Sequence, residues 1–128
     1  MIDYILDTHV FLWSMFDSQK LSNTAKKIIL DSRYRKFISI SSMWEISIKN
    51  RIGKLPIPDG ITRIFDEAKI NGYGIIEITQ NCIETYNTLP LIHRDPFDGL
   101  IIATAMIYKM TIITADQTIT KYDVSCVS

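Results

Sequence analysis

Four acidic residues, Asp7, Glu45, Asp98 and Asp116, carry the chemistry this sequence can support, and a fifth, Asp95, stands beside the third of them. Asp7 follows the apolar run from Tyr4 to Leu6, and Asp116 follows the run from Thr111 to Thr114. Glu45 and Asp98 each sit in the opening of a segment with helical apolar spacing. In a parallel sheet, residues just after a strand lie at its carboxyl edge, where α/β folds place their ligands, and a helix leaving a strand starts at that same edge. Asp98 opens a helix that feeds the run at Thr111, and a right-handed crossover turns such a helix antiparallel to its strand, so it too begins at the carboxyl edge. The acids therefore converge from distant parts of the chain. Carboxylates within about 4 to 6 Å raise one another's pKa, because each disfavours the ionised form of the next. A divalent cation removes that cost. Oxygen ligands with no His or Cys at metal-ligand spacing favour Mg2+, with Mn2+ as a substitute, over zinc. Such a cation polarises a phosphoryl oxygen and activates water, so the substrate this arrangement suits is a phosphodiester.

Other chemistries lack their residues. The chain has neither a Ser or Cys nucleophile triad nor a glycine-rich phosphate loop. A phosphoacceptor receiver needs an Asp after the third strand, and here Ile78 is followed by Thr79 and Gln80. A phosphatase with an aspartyl nucleophile wants a second Asp two residues after the first, and that position is His9.

The elements that must position these acids follow from periodicity. Short apolar runs at Tyr4 to Leu6, Phe37 to Ile40, Ile75 to Ile78 and Thr111 to Thr114 alternate with longer stretches of helical period, which predicts an α/β domain with a mainly parallel sheet. Between them, the turn at Asp7-Thr8 leads into a short helix through Val10, Phe11, Trp13 and Met15. Ser22 caps a helix to about Ser32, and Ser41-Ser42 caps one carrying a buried Trp44 with Ile46, Ile48 and Ile52, ending near Gly53. Leu55 to Pro58 is an extended linker, and a helix from Ile61 to Ile70 stops at Asn71-Gly72. Thr79 opens a helix that ends before Pro90, and Leu100, Ile101, Ala105 and Tyr108 mark a stronger one from Phe97. A helical turn from Asp116 and a short strand around Val124 follow.

The 128 residues, 47% hydrophobic and 22% charged, suit one domain spanning 1–128 with a core that needs no disulfide or structural zinc. Fourteen Lys and Arg balance fourteen Asp and Glu, so no global basic field is present and any nucleic acid must be gripped locally. The balance hides an asymmetry, because residues 1–54 hold nine basic against five acidic side chains and residues 55–128 the reverse. Cys82 and Cys126 stand alone, as in a reduced cytoplasmic protein. No signal peptide is expected, since Asp3 and Asp7 interrupt the first apolar stretch. The apolar segment from Leu100 to Tyr108 is about half of the roughly 20 residues a membrane span needs.

The strings ILDTHVFLW, SISSMWEISIKNRIGKLPIP, HRDPFDGLIIATA and TIITADQTITKY, taken in order and spacing, resemble the PIN-domain ribonucleases of the VapC toxin type, and the resemblance covers nearly the whole chain. It implies a three-layer α/β/α sandwich around a mainly parallel sheet. It also implies a metal-dependent endoribonuclease acting on structured RNA (tRNA or rRNA), the toxin of a type II toxin-antitoxin system, paired with an antitoxin that blocks the site and usually homodimeric. Residue by residue, Asp7, Glu45, Asp98 and Asp116 match the four family acids as metal ligands and catalytic residues, and Thr114 matches the small hydroxyl position before the last. Two positions depart: Gly99 stands where this subgroup commonly has Arg, and His9 where many members have Asn.

Each residue also has a simpler role to weigh. Asp7 and Asp116 suit helix N-caps, and Asp98 at a helix start gains about 0.3 to 1 kcal/mol from the dipole. Asp95 fits the same capping role better than a supporting role in the cluster. Glu45 and Lys49, spaced i and i+4, form a pair worth only about 0.3 to 0.5 kcal/mol when exposed. Lys49 and Arg51, with Lys54 beyond them, suit a strip facing RNA or a solvated face. His93 and Arg94 suit contact with a substrate phosphate or a solvated loop. Trp44, Met43, Phe11, Trp13 and Met15 read as core or dimer contacts before base-stacking platforms. The competing functional reading is a non-catalytic PIN-like module that binds a partner protein.

Overall fold

The computed structural model describes residues 2–128. Five strands form one sheet in the order β3-β2-β1-β4-β5, and every neighbouring pair is parallel. The strands are β1 (Asp3–Leu6), β2 (Arg35–Ser39), β3 (Tyr73–Ile76), β4 (Thr111–Ile113) and β5 (Cys126–Val127). The helices are α1 (Thr8–Phe16), α2 (Asn23–Leu30), α3 (Ile40–Arg51), α4 (Gly60–Ile70), α5 (Gln80–Thr88) and α6 (Pro96–Tyr108). Tyr4 and Leu6 point into one apolar layer with Ile38, Ile113, Phe11, Met43, Ile46 and Ile64. Ile5 and Ile112 point into the other with Ile101, Ile102 and Ala105. This period-2 alternation makes the sheet the middle of an α/β/α sandwich, with α1 to α4 covering one face and α6 the other.

Local chemistry accounts for most boundaries. Ser22 accepts the Ala25 N–H and Thr79 the Cys82 N–H, as their spacing predicts for N-caps. Gly72, at φ +85°, closes α4 behind Asn71. Four expectations need correction. Helix α3 is capped two residues earlier than Ser41, because Ser39 Oγ accepts the Ser41 N–H at 3.0 Å and the strand passes directly into the helix. Glu45 therefore falls beyond the first turn. Trp44 is 60% exposed, because Met43 and Ile46 take the core face of α3 and leave Trp44 turned outward. The helical turn expected from Asp116 forms later, as a 3-10 turn at Ile119–Lys121, because Asp116 Oδ1 accepts the Thr118 N–H and holds a bend.

The sheet order carries the functional consequence. Chain connections run from β1 outward through β2 and β3 on one side and to β4 and β5 on the other, so the order reverses between β1 and β4. In open α/β sheets the crevice outside the carboxyl ends of the strands at such a reversal is where ligands bind. Leu6 is in register with Ile113, and the Asp7 N–H donates to the Ile113 carbonyl at 3.1 Å. Register alone therefore sets Asp7 beside Thr114 at the mouth of that crevice.

Candidate metal centre

Asp7 is buried and does two jobs at once. Its Oδ1 accepts the Val10 N–H at 2.8 Å as the N-cap of α1, while Oδ2 receives the Thr114 hydroxyl. The same Thr114 Oγ1 accepts the Asp116 N–H at 2.9 Å, so one hydroxyl fixes the Asp7 carboxylate and the backbone that presents Asp116. Glu45, 5% exposed, is held from two sides: the Thr8 hydroxyl donates to Oε1 at 2.7 Å and Lys49 Nζ to Oε2 at 2.9 Å. Thr8 follows Asp7 directly, so the turn from β1 into α1 ties the second acid to the first.

Asp98 comes from the first turn of α6, and Asp95 is the cap of that helix. Asp95 Oδ1 accepts the Phe97 N–H at 2.9 Å, with Pro96 in the position where its missing N–H costs nothing. The capping reading of Asp95 therefore holds, although its charge still reaches Asp98. His93 completes the group. Its Nε2 hydrogen-bonds Asp116 Oδ2 at 3.0 Å and lies 3.0 Å from Asp98 Oδ2. Its Nδ1 accepts the Asp95 N–H at 3.2 Å. An imidazole nitrogen that accepts a backbone N–H has no proton of its own, so in the neutral ring Nε2 carries it and faces the two carboxylates as a donor. Tyr122 fixes the loop that carries His93, because its hydroxyl accepts the His93 N–H at 2.7 Å and donates to the Pro90 carbonyl at 3.0 Å.

Electrostatics record how close these groups are. Burial, then the charges of Asp95 and Asp7, and also Glu45, push the Asp98 carboxyl up to about 7, with His93 opposing them. Burial also raises Asp7, against the hydrogen bonds from Thr114 and Val10. Burial works in the same direction on Asp116, but hydrogen bonds from Thr118 and His93 outweigh it and hold that carboxyl below its ordinary value. Asp98, Asp116 and His93 offer ligand atoms all within 4.8 Å of one another. The Asp98 and Asp116 carboxylates fit a hard divalent cation: their oxygens lie close together, and Asp98 carries a proton near neutral pH that a cation would displace. The His93 nitrogen, committed as a donor, fits that role less well than the carboxylates.

The structure thus joins Asp7 to Thr114, sets Glu45 on Thr8 beside it, and gathers Asp98 and Asp116 around His93, while the charges of Asp7 and Glu45 reach Asp98 from outside that closest group. Lys49 pairs with Glu45 at 2.9 Å while its side chain stays partly exposed. Arg51 and Arg94 are exposed and lie in no ion pair among the described residues. Two residues of the site carried no clear sequence signal. Thr8 meets an acid 37 positions away, and His93 reads from sequence as a loop residue near phosphate, not as a member of the cluster.

The PIN domain family model matches residues 4–125. The chain belongs to the PIN domain family. In fold this PIN domain is similar to VapBC2 from Rickettsia felis bound to a DNA fragment from its promoter, with a TM-score of 0.73 and 15% identity over 98% of each chain. A toxin-antitoxin complex from Klebsiella pneumoniae gives a TM-score of 0.66 and 17% identity, covering 98% of this chain and 96% of that one. The PIN domain endonuclease Utp24 gives a TM-score of 0.54 and 20% identity, covering 93% of this chain and 74% of that one. These are likenesses of fold. No curated protein sequence is significantly similar to the chain.

Proposed function

We propose that this PIN domain is a divalent-metal-dependent endoribonuclease, the toxin of a toxin-antitoxin pair, which hydrolyses phosphodiester bonds of structured RNA such as tRNA or rRNA. The observation that supports this reading best is the set of acids at the β1/β4 crevice, where burial and then the charges of its neighbours push the Asp98 carboxyl up to about 7. Asp7, Glu45, Asp98 and Asp116 are the residues that would hold Mg2+ or Mn2+. Bound there, such a cation would supply polarisation of a phosphoryl oxygen and activation of a water for phosphodiester hydrolysis.

The chain's own part is to orient and to manage protons. Thr114 locks the Asp7 carboxylate, Thr8 and Lys49 lock Glu45, and the Thr118 N–H locks Asp116. These partners fix the carboxylates in the way that outer hydrogen bonds fix metal ligands elsewhere. Asp98 holds a proton below about pH 7 and releases it when positive charge replaces it. His93 Nε2–H keeps the Asp98 and Asp116 oxygens together, which their mutual repulsion would otherwise part.

The proposed partners are the RNA, an antitoxin and a second copy of the chain. An antitoxin inserting Arg or Lys into the acidic crevice fits the charge there, and similarity to solved toxin-antitoxin complexes supports it. A stripe of Trp44, Ile48 and Ile52 along one side of α3, with Trp44 and Ile52 each 60% exposed, supports a homodimer contact. The proposed location is the cytoplasm, in keeping with two free cysteines; among the described residues no helix is long and apolar enough to cross a membrane. The test is cleavage of mixed tRNA and ribosomal RNA with Mg2+ and with EDTA. The wild type should cut only with Mg2+, and Asp7→Asn should not cut. Metal-dependent cutting retained by both Asp7→Asn and Asp98→Asn would refute the mechanism.

A further inference from the structure

Next to the acidic cluster lies a cavity of about 270 Å3 whose walls include Tyr86, Asn87, Leu89, His93, Gly99 and Tyr122. It is joined to the cluster by one side chain, since His93 forms part of its wall while its Nε2 lies 3.0 Å from Asp98 and Asp116 oxygens. Gly99 follows Asp98 directly and is buried in α6. A Cβ placed on it would lie 2.3 Å from Tyr86 Cε1 and 2.8 Å from Cδ1, so the Tyr86 ring rests against bare helix backbone. Any side chain at position 99 must push that ring aside or enter the cavity. Glycine at this position leaves both the ring and the cavity undisturbed.

The walls have the chemistry of base recognition. Tyr86 is partly exposed and supplies an aromatic ring. Asn87 is exposed and its side-chain amide makes no hydrogen bond among the described residues, which leaves a donor and an acceptor for a base edge. The Tyr122 hydroxyl is already committed to His93 and Pro90 and stiffens the wall without reading anything. No acidic residue lines the cavity. Single-stranded RNA is read by aromatic stacking together with hydrogen bonds to base edges. The volume falls just below the range of about 300 to 1,000 Å3 usual for drug-sized ligands, which suits one nucleobase and not a dinucleotide.

We propose that this cavity is a specificity subsite, binding one nucleobase of the RNA beside the phosphate presented to the acidic cluster, with Tyr86 stacking on it and Asn87 reading its edge. The proposal rests on the reading of the cluster as a nuclease site. Asn87 and Tyr86 are specificity residues and touch no reacting atom.

The test titrates each of the four nucleoside 5′-monophosphates, with Mg2+, into the full 15N-labelled chain and follows the amides of Asn87, Leu89 and Gly99. One nucleotide should bind at least about fivefold more tightly than another and shift those amides. Tyr86→Ala should weaken it about tenfold or more, Tyr86→Phe should retain it, Asn87→Ala should level the four affinities, and Gly99→Arg should abolish the shifts at Asn87 and Leu89. The dispersion of each variant's spectrum checks folding, and the half-exposed Tyr86 and exposed Asn87 are placed to tolerate change. Equal binding of all four with shifts confined to Asp7, Asp98 and Asp116 overturns the proposal, as does indifference to Tyr86→Ala and Asn87→Ala. RNA cleavage is scored separately. Cleavage without base-selective shifts refutes the subsite alone, whereas base-selective shifts without cleavage refute the nuclease reading.

Discussion

Replacing Asp98 by Asn should stabilise the cation-free protein, and should do so only where the carboxylate would be ionised. In the folded chain the Asp98 carboxyl is raised from its ordinary 3.8 to about 7. Between these values the folded protein binds a proton that the unfolded chain has released, so this group's contribution to stability is full below about pH 4 and is lost as pH rises to about 7. A rise of about three pH units at about 1.4 kcal/mol each amounts to about 4 kcal/mol by pH 8. Asn keeps the shape and carries no charge, so the variant lacks this loss. The assay is urea unfolding of EDTA-treated protein from pH 4 to pH 8. The two proteins should be close near pH 4, and Asp98→Asn should be more stable at pH 8 by about 3 to 4 kcal/mol, roughly 10 °C or more in Tm. Losing the Asp98 charge also eases ionisation of Asp7, whose carboxyl is raised in the same direction, and this adds to the variant's advantage at high pH. A difference that does not change with pH, or one that favours the wild type more at pH 8, would refute the argument that burial and neighbouring charges hold Asp98 protonated.

Other substitutions separate charge from scaffold. Asp7→Asn keeps an N-cap acceptor for Val10, so stability should stay within about 1 kcal/mol while RNA cleavage falls to background, as read by urea titration and gel assay. Thr114→Val removes both the donor to Asp7 and the acceptor for the Asp116 N–H; it should cost about 1 to 3 kcal/mol and weaken Mn2+ binding about 10- to 100-fold by calorimetry. Lys49→Met leaves the buried Glu45 carboxylate with only Thr8, and should destabilise the cation-free protein by about 1 kcal/mol. Adding Mn2+ should recover most of that loss if Glu45 is a ligand, and none of it if Glu45 is only half of an ion pair.

The sheet and its helices were legible because their signals are local. Short apolar runs, and side-chain caps at Ser22 and Thr79, depend on neighbours in sequence. Asp7, Asp98 and Asp116 were legible through chain direction, since parallel strands and right-handed crossovers send their ends to one edge. The remainder depends on tertiary packing. The apolar residues of α3 are scattered among Ser, Lys and Asn rather than gathered on one face, so periodicity did not reveal that Met43 and Ile46 face the core while Trp44 faces outward. The place of His93 is set by the Tyr122 hydroxyl 29 residues downstream, which no local pattern encodes. Asp7 illustrates why a simple role and a functional one need not compete, because one oxygen caps α1 while the other faces Thr114 at the crevice.

In the proposed function, the acids at the β1/β4 crevice bind a cation that RNA cleavage requires. Calorimetric titration of Mn2+ into the purified chain and into Asp98→Asn, with cleavage of mixed tRNA and ribosomal RNA followed in the same samples, tests it directly. The account predicts saturable binding with proton release below about pH 7 in the wild type, and loss of binding, proton release and cleavage together in the variant. A wild type that neither binds Mn2+ nor cuts RNA would contradict it, and would leave the cluster as caps and solvated charges on a protein-binding module.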